Sequence, residues 1–310
     1  MVELKKFTNL IELVTYFKDE KVCIKYLEKI RWEDGNYICP YDGCNHNKVF
    51  KYSNGKTYKC SKCQKQFSIR VGTIFEDSKI SLKKWFAAIY LVTSHKKGIS
   101  SLQLSKDVGV TQKTAWFMLH RIRKALGLHQ SDDKLDGICE ADETYIGGQE
   151  KNKHWNKKVN GTQGRSLKTK TIVAGVIERG GELRAKKLES TNVATLGKFI
   201  SDNVSEGSRV NTDEWLGYRK LHKMFDHRVV NHKSHQYVDG DVHTNTLEGF
   251  WALFKRGIRG VYHLMSAKHM QKYVDEFVFR YNTRDFSEYH RFNTMLDRVN
   301  VRLKYCDLVK

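Results

Sequence analysis

The chain has 310 residues, of which 40% are hydrophobic and 12% aromatic, a composition that supports a packed core and excludes an intrinsically disordered chain. Its 55 Lys and Arg residues outnumber its 35 Asp and Glu residues, and the formal net charge of +20 favours a phosphate backbone as partner. A membrane partner is not expected, because the longest apolar run, at 85–94, is about half of the ~20 residues that a span needs. The N-terminus lacks the pattern of a signal peptide, so we expect an intracellular protein.

Hydrophobic periodicity and turn signals predict the elements in chain order. Residues 1–35 read as one or two short helices, and residues 36–70 contain strand-like pieces among cysteine, lysine and aromatic residues. A helical pattern runs from Ser81 to about Leu126. From Gly137 short β-type runs alternate with helices: a hairpin about Arg179-Gly180-Gly181, a helix near 192–204, a strand near 207–213, and helices at 244–258 and 266–283.

Four of the seven cysteines lie in two close pairs, Cys39 and Cys44 in a C-x4-C spacing and Cys60 and Cys63 in a C-x2-C spacing. Four thiolates brought together by a hairpin are the ligands of a tetrahedral structural Zn²⁺. The alternatives are unrelated reduced cysteines or a disulfide framework, and His46 is a further candidate ligand. The spacing favours a zinc ribbon that holds one Zn²⁺.

Residues 97–127 predict a helix-turn-helix, with the turn at Val108-Gly109-Val110 and the second helix opened by Thr111. Apolar residues at helical spacing are expected to face inward: Leu102 and Leu104 from the first helix, and Ala115, Met118, Leu119 and Ile122 from the second. The second helix would then present Gln112 and Lys113 to a DNA major groove. Two core helices of an ordinary bundle remain the alternative.

Three acids stand near the ends of predicted elements. Asp142 ends a first strand, Asp213 ends a later strand, and Glu248 lies near the start of a helix. Phosphoryl transfer by two divalent ions needs acidic ligands from several elements, because the ions bind the attacking and leaving oxygens. The three acids therefore form a candidate metal site.

Each acid also has a purely structural interpretation. Asp142 and Asp213 could form turns at strand ends, and Glu248 could complete an N-x-x-E capping box with Asn245 as the N-cap. Capping gives no role to Lys255, which shares a helix face with Glu248 about 10 Å further along the axis. In a basic protein with DNA-binding signals, the metal-site interpretation accounts for all of these residues together.

Nearly the whole chain resembles a DDE transposase of a bacterial insertion sequence, of the zinc-ribbon-bearing ISXO-two-like group. The resemblance rests on these segments: "CPYDGCNH", "YKCSKCQKQFSIRVGTIFEDSKISLKKWFAAIYLV", "EADETYIGG", "NTDEWLGYRKL", "VNHKSHQYVDGDVHTNTLEGFWALFKRGIRGVYH" and "KYVDEFVFRYNTR". It implies a multi-domain α/β protein, in which a zinc ribbon and a helix-turn-helix precede a ribonuclease H-like catalytic domain with a mixed sheet.

The resemblance also implies roles for individual residues. Asp142, Asp213 and Glu248 would form the triad that binds two Mg²⁺ ions, or Mn²⁺ in their place. Lys255, with Arg256 beside it, would contact DNA near the active site. In this group an asparagine can stand for the third acid, which leaves the nearby Asn245 open as an alternative ligand.

The function that the resemblance implies is metal-dependent cleavage of the ends of a mobile element, followed by transfer of the freed 3′-OH to target DNA. The expected partners are double-stranded DNA, both terminal inverted repeats and target, and further copies of the chain as a homo-oligomer in the synaptic complex. The expected location is the cytoplasm, at the nucleoid when the protein is bound to DNA. A non-catalytic DNA-binding regulator and a structure-specific nuclease, each derived from such a transposase, remain the alternatives.

These interpretations divide the chain into five parts. They are N-terminal helices (1–35), the zinc ribbon (36–75), the helix-turn-helix region (76–130), the catalytic domain (131–290) and a C-terminal tail (291–310).

Overall fold

The computed structural model describes residues 6–32, 35–128, 133–148, 152–159, 166, 168–231, 238 and 240–309. The chain separates into two compact units: unit 1 comprises Met1–His129 with Asp285–Lys310, and unit 2 comprises Gln130–Arg284. The five-part division given above is finer than this and stays a prediction. In the described residues no helix is long and apolar enough to cross a membrane.

The described residues form a mixed α/β structure, as the sequence predicts. The helices are α1 (Leu10–Tyr16), α2 (Glu20–Arg31), α3 (Leu82–Ser94), α4 (Ser101–Val108), α5 (Gln112–Leu126), α6 (Val193–Asn203), α7 (Asn245–Gly257), α8 (Met270–Asn282), α9 (Glu288–Leu296) and α10 (Tyr305–Val309). The strands are β1 (Val49–Lys51), β2 (Thr57–Cys60), β3 (Gln66–Ser68), β4 (Ile138–Ile146), β5 (Thr171–Glu178), β6 (Leu183–Leu188), β7 (Arg209–Asp213) and β8 (Asp226–Val230).

Unit 1 combines helices with a small antiparallel sheet of order β1-β2-β3. The sheet has little core of its own, and its buried Tyr58 stacks on Phe67 at 5.4 Å between ring centroids and meets Trp32, which follows α2, at 5.2 Å. The helices share an aromatic core, in which Phe292 of α9 lies 5.6 Å from Phe86 of α3. The segment predicted as a C-terminal tail therefore contributes a helix to the core of unit 1.

The helix-turn-helix of the sequence is present as α4, a turn and α5. Gly109 ends α4 in the left-handed conformation with φ of 63°, and the Thr111 side chain accepts a hydrogen bond from the Thr114 N–H at the start of α5. Leu104 is fully buried, but Leu102 is 58% exposed, so the prediction that both face inward is wrong. Two positions along a helix turn the side chain by about 200°, so the two leucines cannot share one face.

Unit 2 is built on a five-stranded sheet of order β6-β5-β4-β7-β8. The strands β4, β5 and β6 are antiparallel neighbours, whereas β7 runs parallel to both β4 and β8. Along the chain, the strand with Asp142 is followed by a hairpin, the helix α6 and the strand that ends at Asp213. This is the order of elements that the sequence predicts for a ribonuclease H-like core, and β8 is an additional strand that the sequence analysis missed.

The two faces of the sheet bury different helices. Alternate residues of β4 and β5, such as Ala141 and Val176, join a core with α6, whereas Val173 and Ile177 join a core with α7 and α8. Asp142 is paired in register with Gly175 of β5, and cross-strand partners project to the same face. Asp142 therefore lies on the face that carries α7.

Gly175 allows α7 to approach this face closely. A Cβ atom at position 175 would lie 2.8 Å from the ring carbon Cζ2 of Trp251 and 3.1 Å from Leu247, both of which are buried residues of α7. Glu248 follows Leu247 directly, so the missing side chain at 175 brings the third candidate acid toward Asp142.

We predict that Gly175→Ala lowers the free energy of unfolding by about 1–3 kcal/mol, the usual cost of overpacking a core, since the added methyl group would displace α7. Urea unfolding measures this change. The matched control is Gly249→Ala in α7, where a Cβ would meet nothing within 4 Å and helix propensity predicts a gain of about 1 kcal/mol. If Gly175→Ala and Gly249→Ala changed the free energy of unfolding with the same sign and size, the close approach of α7 to the sheet would be contradicted.

Candidate active site and metal centres

The four paired cysteines converge at one end of the small sheet. The sulfur atoms of Cys39, Cys44, Cys60 and Cys63 all lie within 4.8 Å of one another, and the Cys39–Cys63 and Cys44–Cys60 separations are both 3.7 Å. Four sulfurs placed 2.3 Å from a tetrahedral Zn²⁺ would be about 3.8 Å apart, whereas bonded sulfurs are about 2 Å apart. The geometry fits a zinc site and excludes disulfides within the set, and His46 is not part of the cluster.

One of the four thiols, that of Cys60, has a lowered pKa. Burial acts to raise the pKa of Cys60, but hydrogen bonds from the backbone N–H groups of Cys63 and Lys62, together with those from the Cys44 and Cys63 thiols, outweigh it and lower the pKa to about 7. A thiolate accepts such N–H groups better than a thiol, and a thiolate is the form that binds zinc. The backbone turn between Cys60 and Cys63 therefore favours the thiolate form of Cys60, which is the form that binds zinc.

The first candidate acid, Asp142, lies in the middle of β4 rather than at its end, so that detail of the sequence analysis is wrong. The strand continues because its pairing with β5 extends to Ile146 and Thr171. Its pairing with β7, however, stops at Glu140 and Asn211. Asp142 thus stands where β4 and β7 begin to separate.

The second acid, Asp213, is the last residue of β7, as predicted. Continuing the register beyond the Glu140–Asn211 pair places Asp213 beside Asp142 on the same face of the sheet. One carboxylate oxygen, Oδ1, accepts a hydrogen bond of 3.0 Å from the backbone N–H of Trp215. The turn that follows the strand therefore fixes the orientation of this carboxylate.

The third acid, Glu248, lies in the first turn of α7 and is exposed. The helix begins at Asn245 with Thr244 as its N-cap, so the alternative interpretation, an N-x-x-E capping box with Asn245 as N-cap, is wrong. The Thr244 side chain makes no capping hydrogen bond, and its hydroxyl donates to Glu248 Oε1 at 3.2 Å. That Glu248 rather than Asn245 is the third metal ligand stays a prediction.

The three acids influence one another electrostatically. Burial is the main cause that raises the pKa of Asp142 to about 8, and the charges of Glu143, Asp213 and Glu248 raise it further. Glu143 projects to the opposite face, where it accepts a 2.8 Å hydrogen bond from the Tyr218 hydroxyl. Several negative charges near one another favour the binding of a divalent cation.

The acids do not converge on a common point as the cysteines do. Among the described residues, the cysteine set is the only group of three or more His, Cys, Asp or Glu side chains whose ligand atoms lie within 4.8 Å of one another. Mutual repulsion of the carboxylates is a sufficient reason for an open arrangement.

Basic residues accompany the acids on the α7 face. Lys255 is partly buried, and burial is the main cause that lowers its pKa. The charge of Asp142 acts to raise that pKa, while Arg259 and Lys170 lower it further and Glu248 raises it. Lys255 thus lies between the acids and two further cations, an arrangement suited to a phosphate that approaches the metal site.

The residue that holds α7 in place is not among the candidates that the sequence pattern indicates. Glu140, fully buried on β4, accepts hydrogen bonds through Oε2 from the backbone N–H groups of Thr246 (2.9 Å) and Leu247 (3.2 Å), and through Oε1 from the Thr246 hydroxyl (2.9 Å). These N–H groups at the start of a helix have no partner within the helix. A carboxylate from the sheet therefore caps α7 where a local side chain does not. The only signal in the sequence is that Glu140, in "GICEADETYIGG", lies two residues before Asp142, so that on a strand both side chains project to the same face.

An ionic network extends this contact to the segment before α7. Arg179, in the hairpin between β5 and β6, donates to Glu140 Oε1 at 2.8 Å and to the backbone carbonyls of Asp241 and His243. Arg209 forms a bidentate pair with Asp241 at 2.6 and 2.8 Å. His243 Nδ1 lies 3.2 Å from Glu140 Oε1, so this histidine belongs to the network rather than to the candidate metal site.

The other three predicted DNA-binding residues, Gln112, Lys113 and Arg256, are exposed, and their role, like that of Lys255, stays a prediction. Gln112 and Lys113 occupy the first turn of α5, where Gln112 Nε2 donates to Ser101 Oγ at 2.7 Å and the Lys113 ammonium lies 5.5 Å from the centre of the Tyr305 ring. Arg256 of α7 is exposed and reaches the Ala252 carbonyl at 3.3 Å. His232, a candidate from the sequence for positioning water or phosphate, lies outside the described residues, as does much of the lysine-rich segment 150–170, a candidate contact to the DNA backbone.

Comparisons with known proteins agree with this geometry. The family described as "ISXO2-like transposase domain" matches residues 134–282, which include all three acids and Lys255, and the "Transposase zinc-ribbon domain" matches residues 18–66, which include the four cysteines. A relative described as an uncharacterized protein in transposable element ISH50 of Halobacterium salinarum is 30% identical over 260 residues, which is 79% of this chain and 86% of that protein.

Two solved structures are weakly similar. One is the simian T-cell lymphotropic virus intasome in complex with PP2A regulatory subunit B56 gamma, with a TM-score of 0.28 and 13% identity over 62% of this chain and 68% of the other. The second is a pre-cleavage Mos1 transpososome, with a TM-score of 0.27 and 13% identity over 71% of this chain and 80% of the other. Both scores are too low to support a conclusion.

For the cysteine site, we predict close to one Zn²⁺ per chain, and we predict that Cys60→Ser loses it, because serine cannot supply the thiolate. Metal analysis of the purified protein gives the stoichiometry. Cys306→Ser is the matched control, since Cys306 is exposed and outside the cluster. Zinc content that is unchanged by serine at all four cluster positions would contradict the assignment.

For the cap of α7, we predict that Glu140→Gln lowers the free energy of unfolding by about 2 kcal/mol or more, because the amide removes the charge that the helix start and Arg179 both contact. The control is Glu182→Gln, whose carboxylate is about half exposed and 3.9 Å from Arg184, with an expected change within about 0.5 kcal/mol. Denaturant unfolding of both variants measures the difference. Equal, small changes would show that Glu140 does not position α7.

Proposed function

The chain belongs to the family of ISXO2-like transposases, and we propose that it cuts the ends of its mobile element and joins the freed ends to target DNA. The observation that carries the proposal is geometric: the register of β4, β5 and β7 brings Asp142 and Asp213 side by side on the sheet face that is covered by α7, the helix of Glu248. The raised pKa of Asp142, to which Asp213 and Glu248 contribute, agrees with this arrangement. Family membership supports transposase function, and the acid cluster supports catalysis by this chain rather than DNA binding alone.

In the proposed reaction, Asp142, Asp213 and Glu248 hold two Mg²⁺ ions, or Mn²⁺ in their place. When bound, such ions activate water for phosphodiester hydrolysis and neutralise the charge that develops on the attacking and leaving oxygens. The chain's own residues orient the substrate: Lys255 contacts the phosphate next to the cut, and Arg256 the adjacent backbone. The freed 3′-OH then attacks a target phosphodiester at the same site, so no covalent bond between enzyme and DNA is needed.

Recognition of the element ends is assigned to unit 1. Gln112 and Lys113 would read bases from the start of α5, and one structural Zn²⁺ on the four cysteines would hold the ribbon in shape. The synaptic complex would contain two element ends and therefore more than one copy of the chain. Its place of action would be the cytoplasm, at the nucleoid.

We predict that Asp142→Asn, Asp213→Asn and Glu248→Gln each reduce cleavage of labelled element ends in Mg²⁺ by about 100-fold or more, the scale observed when one electrostatic group of an active site is removed. DNA affinity should change little, since the backbone contacts remain. The matched control is Glu189→Gln, whose carboxylate is 89% exposed in the same unit. Cleavage that survives in Glu248→Gln but not in Asn245→Ala would assign the third ligand to Asn245.

Asp142 supplies a second test that does not depend on activity. Since its pKa is raised to about 8 in the folded protein, the folded state holds a proton that the unfolded state releases near pH 4. Stability without added Mg²⁺ should therefore fall as the pH rises from about 4 to 8. Asp142→Asn does not titrate, so it should be more stable than the wild type at pH 8 and less sensitive to pH. Parallel pH profiles of unfolding for the two proteins would contradict the raised pKa of Asp142.

A wild-type protein that binds element ends but does not cut them would favour the non-catalytic regulator. Cleavage without strand-transfer products from a labelled 3′-OH end would favour the structure-specific nuclease. The same gel assay separates all three functions.

A further inference from the structure

Unit 2 has a basic cleft on the α6 side of the sheet, away from α7. The cleft has a volume of about 670 Å³ and lies between α6 and the segment 216–224 that follows β7. Four cations line it, Lys198, Arg219, Lys220 and Lys223, and none of its described lining residues is acidic. We call this surface the α6 cleft.

Most of this positive charge is uncompensated. Lys198 pairs with Asp202 at 3.3 Å, but both side chains are largely exposed, so the pair is weak. Arg219, Lys220 and Lys223 are exposed, and none of the three forms an ion pair with an acid in the described part of the chain. A concave surface with three unpaired cations complements a polyanion.

The cleft is structurally tied to the acid cluster. Its wall, the segment 216–224, begins three residues after Asp213. The Asp213 carboxylate accepts a hydrogen bond from the Trp215 N–H, and Trp215 Nε1 donates to the Thr191 carbonyl at 3.4 Å. Gly217 presses the wall against the start of α6, because a Cβ there would lie 2.6 Å from Leu196 and 2.7 Å from the Thr191 carbonyl oxygen. A DNA segment in the cleft would therefore be held in a fixed relation to Asp213.

Two basic surfaces thus lie on opposite faces of the sheet that carries the acids. Lys170, Lys255 and Arg259 lie on the α7 side, and the α6 cleft lies on the other. We propose that the α6 cleft binds the phosphate backbone of target DNA, while the α7-side cations hold the element end. The assignment rests on the proposed function, since strand transfer needs two DNA segments at one site and cleavage needs only one.

The test compares Lys220→Glu/Lys223→Glu with the control pair Lys186→Glu/Lys268→Glu. All four lysines are exposed, the control lysines lie outside the cleft, and both double variants change the net charge by the same amount. Each protein is assayed for cleavage of uncut element ends and for transfer of pre-cut ends with a free 3′-OH into plasmid DNA. Its affinity for a random 30-base-pair duplex is measured by fluorescence anisotropy over a range of salt concentrations.

We expect the cleft variant to need about tenfold more plasmid for half-maximal strand transfer and to bind the random duplex with a shallower salt dependence, because it has lost phosphate contacts. Cleavage of uncut ends should stay within about twofold of wild type, and the control pair should behave as wild type in all assays. Equal losses in both double variants, or a cleavage defect as large as the transfer defect, would overturn the assignment to target DNA. A wild-type protein without cleavage activity would refute the proposed function, and the random-duplex affinities would then still decide whether the cleft binds DNA.

Discussion

The geometry of the candidate active site depends on a buried carboxylate that is not itself a candidate ligand. Glu140 lies two residues before Asp142 on β4 and accepts the first free N–H groups of α7, the helix that carries Glu248. A charge of that kind, removed from water, is tolerated only when it is fully hydrogen-bonded, and here the helix start and Arg179 satisfy it. One strand thus supplies the central acid and fixes the helix that supplies another.

Packing and electrostatics act together at this point of the sheet. Gly175 leaves room for Trp251 and Leu247, so α7 lies close to the strand pair β4–β5. That closeness buries Asp142 and adds the charge of Glu248 to that of Asp213, which raises the pKa of Asp142. An arrangement that costs stability in the absence of a cation is characteristic of a binding site, because a core optimised for stability would pair or remove these charges.

The sequence by itself determined the local elements and the residues that stand at their ends. Cysteine pairs at short spacing predicted a metal cluster, since close spacing along a hairpin almost forces spatial proximity. Periodicity predicted α4, α5 and α7, and the Gly109 turn and the Thr111 cap lie where they were expected. The family resemblance implies that Asp142, Asp213 and Glu248 belong to one site.

Only the tertiary structure decided which distant residues meet. The contact between Glu140 and the start of α7 joins residues 106 positions apart, and no local pattern encodes it. The same holds for Gly175 beneath Trp251 and for the cations of the α6 cleft, which come from α6 and from the segment after β7. The expectations that Leu102 faces inward and that Asn245 is the N-cap of α7 are wrong for a related reason. Burial and capping depend on what the rest of the chain packs against each position. Local sequence sets propensities and spacing, whereas burial, charge neighbours and helix caps from other elements follow from the packed fold.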